Sequence, residues 1–156
     1  MTHIHRVFLA ALLANAPLLA FAQDPDVAAA IEMRQHGFKD MGAAFKGIRD
    51  QFRRPKPMVV MMREYTRPLT RYSKEPVLEK WFPAGSGPEA GIETQALPII
   101  WEKPREFAAR WQDYVEAAGN LQAAVSSGDL DVTRQRTRVL GKTCGGCHDT
   151  FRLDED

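Results

Sequence analysis

Two cysteines and a histidine near the C-terminus have the types and the spacing that covalent haem attachment requires. The run Cys144-Gly145-Gly146-Cys147-His148 contains both cysteines of the 156-residue chain. In this C-x-x-C-H pattern, two thiols one helical turn apart can each form a thioether with a porphyrin vinyl group, and the next residue supplies an imidazole to the iron. The motif therefore predicts one covalently attached haem c.

Other uses of a C-x-x-C pair fit the sequence less well. A thioredoxin-like redox pair belongs near a βαβ pattern, and the chain shows none. A zinc site needs more ligands, but there is no second cysteine pair, and the histidines other than His36 and His148 lie in the first 22 residues. A disulfide between residues three apart on a helix fits disulfide geometry poorly. Haem attachment is the favoured interpretation.

Residues 1–22 predict a secretory signal peptide. A weakly basic start that includes Arg6 is followed by an apolar stretch from Val7 to Leu19, and Ala20-Phe21-Ala22 has the pattern of a cleavage site. The apolar stretch is too short and too interrupted to span a bilayer comfortably, so cleavage is favoured over a membrane anchor. The mature chain would begin at Gln23 in the bacterial periplasm, which is where haem is joined to such motifs.

The mature chain, residues 23–156, has a size that suits one domain and carries no net charge. Removing the signal takes one of the 21 basic residues and none of the 20 acidic ones, so the formal charges balance. A balanced charge argues against a general nucleic-acid or anionic-membrane binder. No later segment is apolar enough to cross a membrane.

Four segments of the mature chain have apolar residues every three or four positions, which predicts amphipathic helices. They run from about Pro25 to Phe52, Met58 to Tyr72, Pro104 to Ser126 and Leu130 to Leu153, and a long Pro- and Gly-rich connection covers Ser73 to Ile100. The predicted fold class is all-α: an antiparallel, up-down four-helix bundle with covalently attached haem.

The fourth predicted helix carries the haem motif. Gly145 and Gly146 are poor helix formers, so the end of this helix could fray. Small residues at these positions would also let a porphyrin edge approach the backbone.

A haem motif on the last helix of such a bundle resembles the cytochrome c′ family, the class II c-type cytochromes. The resemblance covers nearly the whole mature chain and is strongest in three places. These are Met33-Arg34-Gln35, Leu97-Pro98-Ile99-Ile100-Trp101 and the segment from Gly141 to Arg152; the turn Phe82-Pro83-Ala84-Gly85-Ser86 also matches.

The resemblance implies a role for each residue of the haem site. Cys144 and Cys147 would carry the thioethers, and His148 would be the axial ligand of the haem iron. Arg34 would approach a haem propionate, with Gln35 beside it. An anion there would explain a charge on the apolar seam of the first helix, since a buried guanidinium needs a partner; the alternatives are that Arg34 extends to the surface or pairs with an acidic side chain.

Arg152 lies one turn after His148. It could border the pocket on the histidine side of the haem, or it could be a solvated C-terminal arginine.

The sixth coordination position of the iron decides the function. Phe38 falls where the family places an apolar residue over an open site, and its ring cannot bind iron. Met41, one turn further along the same seam, is the challenger, because a thioether can be an axial ligand. We expect five-coordinate, high-spin iron beneath Phe38, with Met41 as the alternative sixth ligand.

Two functions follow from such a haem. The first is a periplasmic electron carrier that serves redox partner proteins. The second is a protein that binds nitric oxide or carbon monoxide for sensing or detoxification. An enzyme such as a peroxidase is disfavoured, because it needs acid or base groups near the iron and His36 should point to solvent.

Family members are often dimers through their first two helices, so the resemblance also implies a homodimer. A row of arginines on the second predicted helix (Arg63, Arg67, Arg71) is either a solvated face or a face that pairs with a partner.

Overall fold

The computed structural model describes residues 25–154, and the predicted signal peptide at residues 1–22 lies outside the described residues. Four long helices are present, as the sequence predicted: α1 (Pro25–Gln51), α2 (Val59–Tyr72), α5 (Pro104–Ser127) and α6 (Leu130–Phe151). The connection between α2 and α5 contains two short helices, α3 (Val77–Trp81) and α4 (Ile99–Glu102), and a 3-10 turn at Pro88–Ala90. The predicted all-α bundle is confirmed.

The four long helices form an antiparallel ring in which each packs on its chain neighbour. Arg63 at the start of α2 donates to the carbonyl of Ser126 at the end of α5, and Tyr114 in the first half of α5 donates to the carbonyl of Leu69 near the end of α2. On the other side, Phe45 of α1 lies against Gly141 of α6. Helix α2 is therefore diagonal to α6, and α1 is diagonal to α5.

Local sequence signals fix the ends of several helices. The Asp129 side chain accepts hydrogen bonds from the backbone N–H groups of Asp131 (2.9 Å) and Val132 (3.0 Å) and so caps α6. Gly128 before it adopts φ 78°, a left-handed conformation that ends α5 at little cost. Helix α2 contains Pro68 and continues through it to Tyr72.

Two apolar clusters fill the bundle. The main cluster combines buried residues of all four long helices with Val77 and Trp81 of α3. The second cluster is smaller and lies where the connection meets the end of α6; its buried members are Ile100, Phe107 and Phe151. Each cluster contacts one of the two cysteines.

The connection at residues 73–103 is more ordered than a long loop. Its segment at residues 95–97 runs antiparallel to the chain at the end of α6. The backbone N–H of Leu97 donates to the carbonyl of Phe151 (3.1 Å), and that of Leu153 donates to the carbonyl of Gln95 (2.8 Å). This pairing fixes the end of the haem-bearing helix against the connection. Within residues 25–154, no helix is long and apolar enough to cross a membrane.

Candidate haem site

The predicted attachment motif lies on the last two turns of α6, which stays helical through Gly145 and Gly146 to Phe151. Cys144 and Cys147 are half-buried and are not joined in a disulfide. Cys144 packs against the main cluster, and Cys147 packs against the second cluster. The two thiols thus lie on one side of the helix, where each could bond to the same porphyrin edge.

The electrostatics of the motif do not favour a redox-active thiol pair. Burial raises the pKa of the Cys144 thiol. Burial, followed by the charge of Cys144, raises the pKa of Cys147 to about 11, although Arg110 acts in the opposite direction. Catalytic redox cysteines instead have lowered pKa values. These protonated thiols are therefore unlike those of a thioredoxin-type pair.

His148 is exposed and carries an imidazole suited to binding a metal ion. Neighbouring protein atoms shield part of the His148 ring from water and lower its pKa, and the positive charge of Arg152 lowers it further. A lowered pKa keeps the ring neutral near pH 7, and the neutral ring has the lone pair that iron needs.

Two glycines leave space beside the motif. A Cβ atom added at Gly145 or Gly146 would meet no neighbouring atom within 4 Å. The helix is intact at both positions, so fraying does not explain the glycines. The open backbone surface between the cysteines fits the approach of a flat porphyrin edge.

Aromatic side chains surround the space next to the cysteines. The ring of Phe38 lies 5.3 Å from Trp81, 6.2 Å from Phe82 and 6.4 Å from Trp111, measured between ring centroids. Phe82 continues the contact to Phe107 at 4.8 Å. The sequence predicts a haem contact for Phe38 but not for this group, because Trp111 and Phe107 follow the helical period of α5 and fit an ordinary core seam.

Phe38 and Met41 occupy different environments in α1. Phe38 is 36% exposed, whereas Met41 is 7% exposed and belongs to the main cluster. A side chain that contacts haem must present surface that other side chains do not already cover. Phe38 meets this requirement, and Met41 would have to leave the core.

Arg34 is buried and its guanidinium organises the connection. The side chain is 2% exposed, so the alternative that it extends to the surface is wrong. Its two terminal nitrogens make four hydrogen bonds, to the carbonyls of Trp81 (3.2 Å) and Ser86 (2.6 Å) and to the hydroxyls of Ser86 (3.0 Å) and Thr94 (2.7 Å).

This guanidinium also stacks 5.1 Å above the ring of Phe82. Burial lowers the pKa of Arg34 to about 10, with the charge of Glu89 opposing the shift, so the group stays charged near pH 7. Its contact with a haem propionate stays a prediction. Four of the five N–H donors of the guanidinium are already used, so a propionate would meet the remaining one or replace a present acceptor.

Gln35 and Arg152 each form a hydrogen bond to the connection, at residues 93–95. Gln35 donates from Nε2 to the carbonyl of Glu93 (2.8 Å), at the far side of the connection. Arg152 donates from Nε to Oε1 of Gln95 (2.7 Å), and its backbone N–H donates to the carbonyl of His148 (3.1 Å). Arg152 is half-buried next to the histidine rather than a freely solvated arginine.

The remaining polar candidates lie away from the cysteines. His36 is exposed and lies 3.5 Å from Asp40, which confirms that it points to solvent. The three arginines of α2 have partners within the chain: Ser126 for Arg63, Glu64 for Arg67 and Asp40 for Arg71.

Comparison with known proteins decides the family. The sequence model of the family described as Cytochrome C' matches residues 29–152. The chain belongs to the cytochrome c′ family. Cytochrome c′ from Pararhodospirillum photometricum is 30% identical over 123 residues, which cover 78% of this chain and 94% of that protein. By contrast, the chain spans about half (53%) of the length of cytochrome c-554 from Cereibacter sphaeroides, with 45% identity over 71 residues.

Solved structures agree with the fold. Cytochrome c prime from Shewanella frigidimarina superposes with a TM-score of 0.74 at 28% identity, covering 84% of this chain and 99% of that one. A nitric oxide complex of a leucine-to-alanine mutant of cytochrome c prime from Alcaligenes xylosoxidans superposes with a TM-score of 0.72, covering 85% and 99%. At 22% identity, that second likeness shows the fold alone.

The family binds one covalent haem c, and the residues of this chain fit that group. The two thiols share one side of α6, the glycines between them leave the backbone open, and aromatic rings line the adjoining space. The chain is therefore a c-type cytochrome with one haem c joined to Cys144 and Cys147.

Proposed function

We propose that the chain is an exported electron carrier whose haem iron is five-coordinate and high-spin. In this proposal His148 binds the iron on one face, and Phe38 covers the other face without binding it. When bound, the haem supplies one-electron chemistry between two oxidation states of iron. The chain's own residues then set the solvent access and the local charge that tune this chemistry.

The environments of Phe38 and Met41 are the observation that carries the proposal. Phe38 presents exposed ring surface among Trp81, Phe82 and Trp111. Met41 is enclosed by the main cluster. Moving its thioether to the iron would uncover apolar surface in the core, and fully burying a methionine side chain is worth about 1.5–3 kcal/mol.

The absorption spectrum of the reduced, haem-loaded protein tests the coordination. We expect a broad high-spin spectrum that shifts when carbon monoxide is added, and the same spectrum in Met41→Leu. Met33→Leu, at an exposed position of the same helix, is the matched control. Sharp low-spin bands in the unmodified protein that become high-spin only in Met41→Leu would show that Met41 is the sixth ligand.

Binding of nitric oxide or carbon monoxide is the second candidate function. It is favoured by the aromatic surroundings of Phe38, which suit uncharged diatomic ligands, and by the nitric oxide complex of the Alcaligenes xylosoxidans mutant. Replacing Phe38 by alanine should raise the rate of carbon monoxide binding, because the ring would no longer obstruct the iron. A rate equal to that of the unmodified protein would show that Phe38 does not cover the face of the iron opposite His148.

We assign no enzyme activity to the site. His36 is exposed and paired with Asp40, and the side chains around Phe38 provide no acid or base in the described part of the chain. Rapid turnover of peroxide that disappears in His36→Ala would contradict this assignment.

The location in the periplasm and the homodimer are parts of the same proposal. Export predicts that the mature protein begins at Gln23. Intact mass measurement of the protein from the periplasmic fraction would test this start.

The proposed dimer needs an apolar contact between the two copies. Two exposed apolar side chains at the start of α2 would form it, Met58 and Val60. Sedimentation of Val60→Glu should then show monomers, whereas an unchanged dimer would place the contact elsewhere.

A further inference from the structure

Positive charge is concentrated on the haem-bearing helix. Between residues 132 and 148 there are four basic residues and no acidic one: Arg134, Arg136, Arg138 and Lys142. The connection shows the opposite pattern, since residues 81–102 hold Glu89, Glu93 and Glu102 and no lysine or arginine. The chain thus contains two oppositely charged regions, although its total charge is balanced.

Three of these basic residues form a row on the surface of α6. Arg134, Arg138 and Lys142 follow each other at intervals of four, which places them on one side of the helix, and all three are exposed. The row leads to Gly145, at the start of the haem-attachment segment. Lys142 lies one helical turn before Gly146, so the row ends at the level of the haem-attachment segment, on the solvent side of α6.

Helix α1 adds a fourth charge to this surface. The Phe45 side chain contacts the Gly141 position and so brings α1 close to α6. Arg49 lies 5.9 Å over the ring of Phe45, and Arg134 lies 4.4 Å over the ring of Phe52. These rings position the two guanidinium groups while leaving their hydrogen-bond donors available. We call Arg49, Arg134, Arg138 and Lys142 the basic face.

Within residues 25–154, no acidic side chain forms an ion pair with the basic face. The ion pairs on α1 and α2 use other bases, such as Lys46 with Asp50 and Arg67 with Glu64. Asp50, the acid nearest to Arg49 in sequence, already pairs with Lys46 and Arg53. On α6, Asp131 and Asp149 lie beyond the two ends of the row, and neither forms an ion pair with it.

We propose that the basic face is the docking surface for an acidic patch on a protein redox partner. The proposal rests on the electron-transfer function proposed above. Opposite charge would steer the partner to the surface. The half-buried rings of Phe45 and Phe52, and the 39% exposed Val139, give it the apolar area that a protein interface uses. A partner docked here lies along α6, one helical turn before the segment that holds the haem.

A protein fits this surface better than an extended polyanion. Nucleic acids and anionic membranes gain affinity from many charge contacts, and the mature chain as a whole has no excess of positive charge. Four charges that surround apolar rings match a compact acidic patch instead.

Small oxidants of opposite charge test whether the basic face controls access to the haem. The reduced, haem-loaded full chain would be mixed with anionic hexacyanoferrate(III) or with cationic tris(phenanthroline)cobalt(III) at increasing salt. We expect the anionic oxidant to react faster at low salt and to slow as salt screens the charges. The double variant Arg138→Glu/Lys142→Glu should lower its rate about tenfold and raise the rate of the cationic oxidant.

A matched control separates local charge from net charge. Lys56→Glu/Lys74→Glu makes the same change in net charge at exposed residues that flank α2, the helix diagonal to α6. This control should keep most of the preference for the anionic oxidant. Equal effects of the two double variants, or a rate that does not depend on salt, would overturn the proposal.

A binding measurement tests the partner class without using the redox chemistry of the haem. Polyglutamate should bind the unmodified protein and the Lys56/Lys74 control, and should lose affinity for the Arg138/Lys142 variant. Tighter binding of duplex DNA or phosphatidylglycerol vesicles than of polyglutamate would overturn the choice of a protein partner. The protein could also associate with itself through this face. Self-association that is abolished only in the Arg138/Lys142 variant would show that the basic face binds a second copy of this chain, and it would overturn the proposal of a redox partner.

The proposed function and the proposed surface can fail separately. A low-spin spectrum, or a haem that exchanges electrons with neither oxidant, would reject the function proposed above. Polyglutamate binding would still decide whether the basic face recognises acidic protein.

Discussion

The end of the bundle away from the cysteines is filled by unbranched and branched apolar side chains on regular helices: Ile48, Met62, Leu121 and Val125. We call it the aliphatic end. At the haem-bearing end, the ring of Trp81 contacts Trp111 and the ring of Phe82 contacts Phe107. A connection with three short helical pieces replaces regular helix packing there. The first arrangement depends on helical periodicity alone. The second depends on side chains that reach across many residues of the sequence, above all Arg34.

This difference suggests that stability and haem environment can be changed separately. Substitutions in the aliphatic end should lower the free energy of unfolding and leave the haem spectrum unchanged. Substitutions among the aromatic residues and the contacts of Arg34 should alter the spectrum with a smaller loss of stability.

The largest loss of stability is expected from Leu121→Ala in the aliphatic end. Leu121 is 0% exposed, and truncation would leave a cavity among all four helices. Such changes typically cost 2–5 kcal/mol, and full burial at this site suggests about 4 kcal/mol. Urea denaturation of the haem-loaded protein would measure the loss. An altered haem spectrum in the folded variant would show that the two ends are coupled.

The next largest effect is expected from Arg34→Met, which removes the guanidinium but keeps an apolar side chain of similar length. The carbonyls and hydroxyls that it binds would lose their donors, although the desolvation cost of a buried charge would also disappear. We expect a net loss of about 3 kcal/mol. Hydrogen exchange should accelerate at residues 81–97 more than in α5, together with a shift in the haem spectrum.

The surface residue Arg105 offers a control for Arg34, because Arg105→Met removes the same charge from an exposed position at the start of α5. Comparable losses of stability in the two variants would contradict a specific role for the network around Arg34.

The sequence predicted the aliphatic end well and the aromatic end only in part. Periodic apolar residues placed the four long helices within two residues of their observed bounds, because helix packing leaves a local repeat in the sequence. The motif at Cys144 is also local. The pairing of residues 95–97 with the chain at the end of α6 and the network of Arg34 join residues more than 45 positions apart, and no local pattern encodes them.

A smaller effect is expected from Gly37→Ala, at the border between the two ends. A Cβ atom here would lie closer than 3.0 Å to three ring atoms of Trp81, which is 1% exposed and cannot easily move. We expect a loss of about 2 kcal/mol from overpacking and a change in the haem spectrum through Phe38, which contacts the same ring.

Gly42→Ala is the matched control in the same helix, because a Cβ atom there meets nothing within 4 Å. It should stabilise the protein by about 0.5–1 kcal/mol, since alanine favours the helix more than glycine does. Equal stability of the two alanine variants would show that Trp81 moves without cost.

The smallest effect near neutral pH is expected from Tyr114→Phe, which tests the buried contact between α2 and α5. The Tyr114 hydroxyl donates to the carbonyl of Leu69 (2.7 Å), which also accepts from the backbone N–H of Ser73. Because the carbonyl keeps one donor, the loss should be about 1 kcal/mol. Tyr65→Phe, at a half-buried position of α2, controls for removing a hydroxyl group.

The pH dependence of the same variant has a definite sign. Burial raises the pKa of Tyr114 well above its ordinary value, so the folded state keeps the proton that the unfolded state loses above about pH 10. The contribution of Tyr114 to the free energy of unfolding is therefore fully present below about pH 10. It falls as the pH rises further, by up to about 1.4 kcal/mol per pH unit. Tyr114→Phe should therefore lose stability less steeply in alkali than the unmodified protein, with a residual slope from Tyr72, whose pKa burial also raises. Parallel slopes in urea denaturation above pH 10 would mean that Tyr114 ionises in the folded protein.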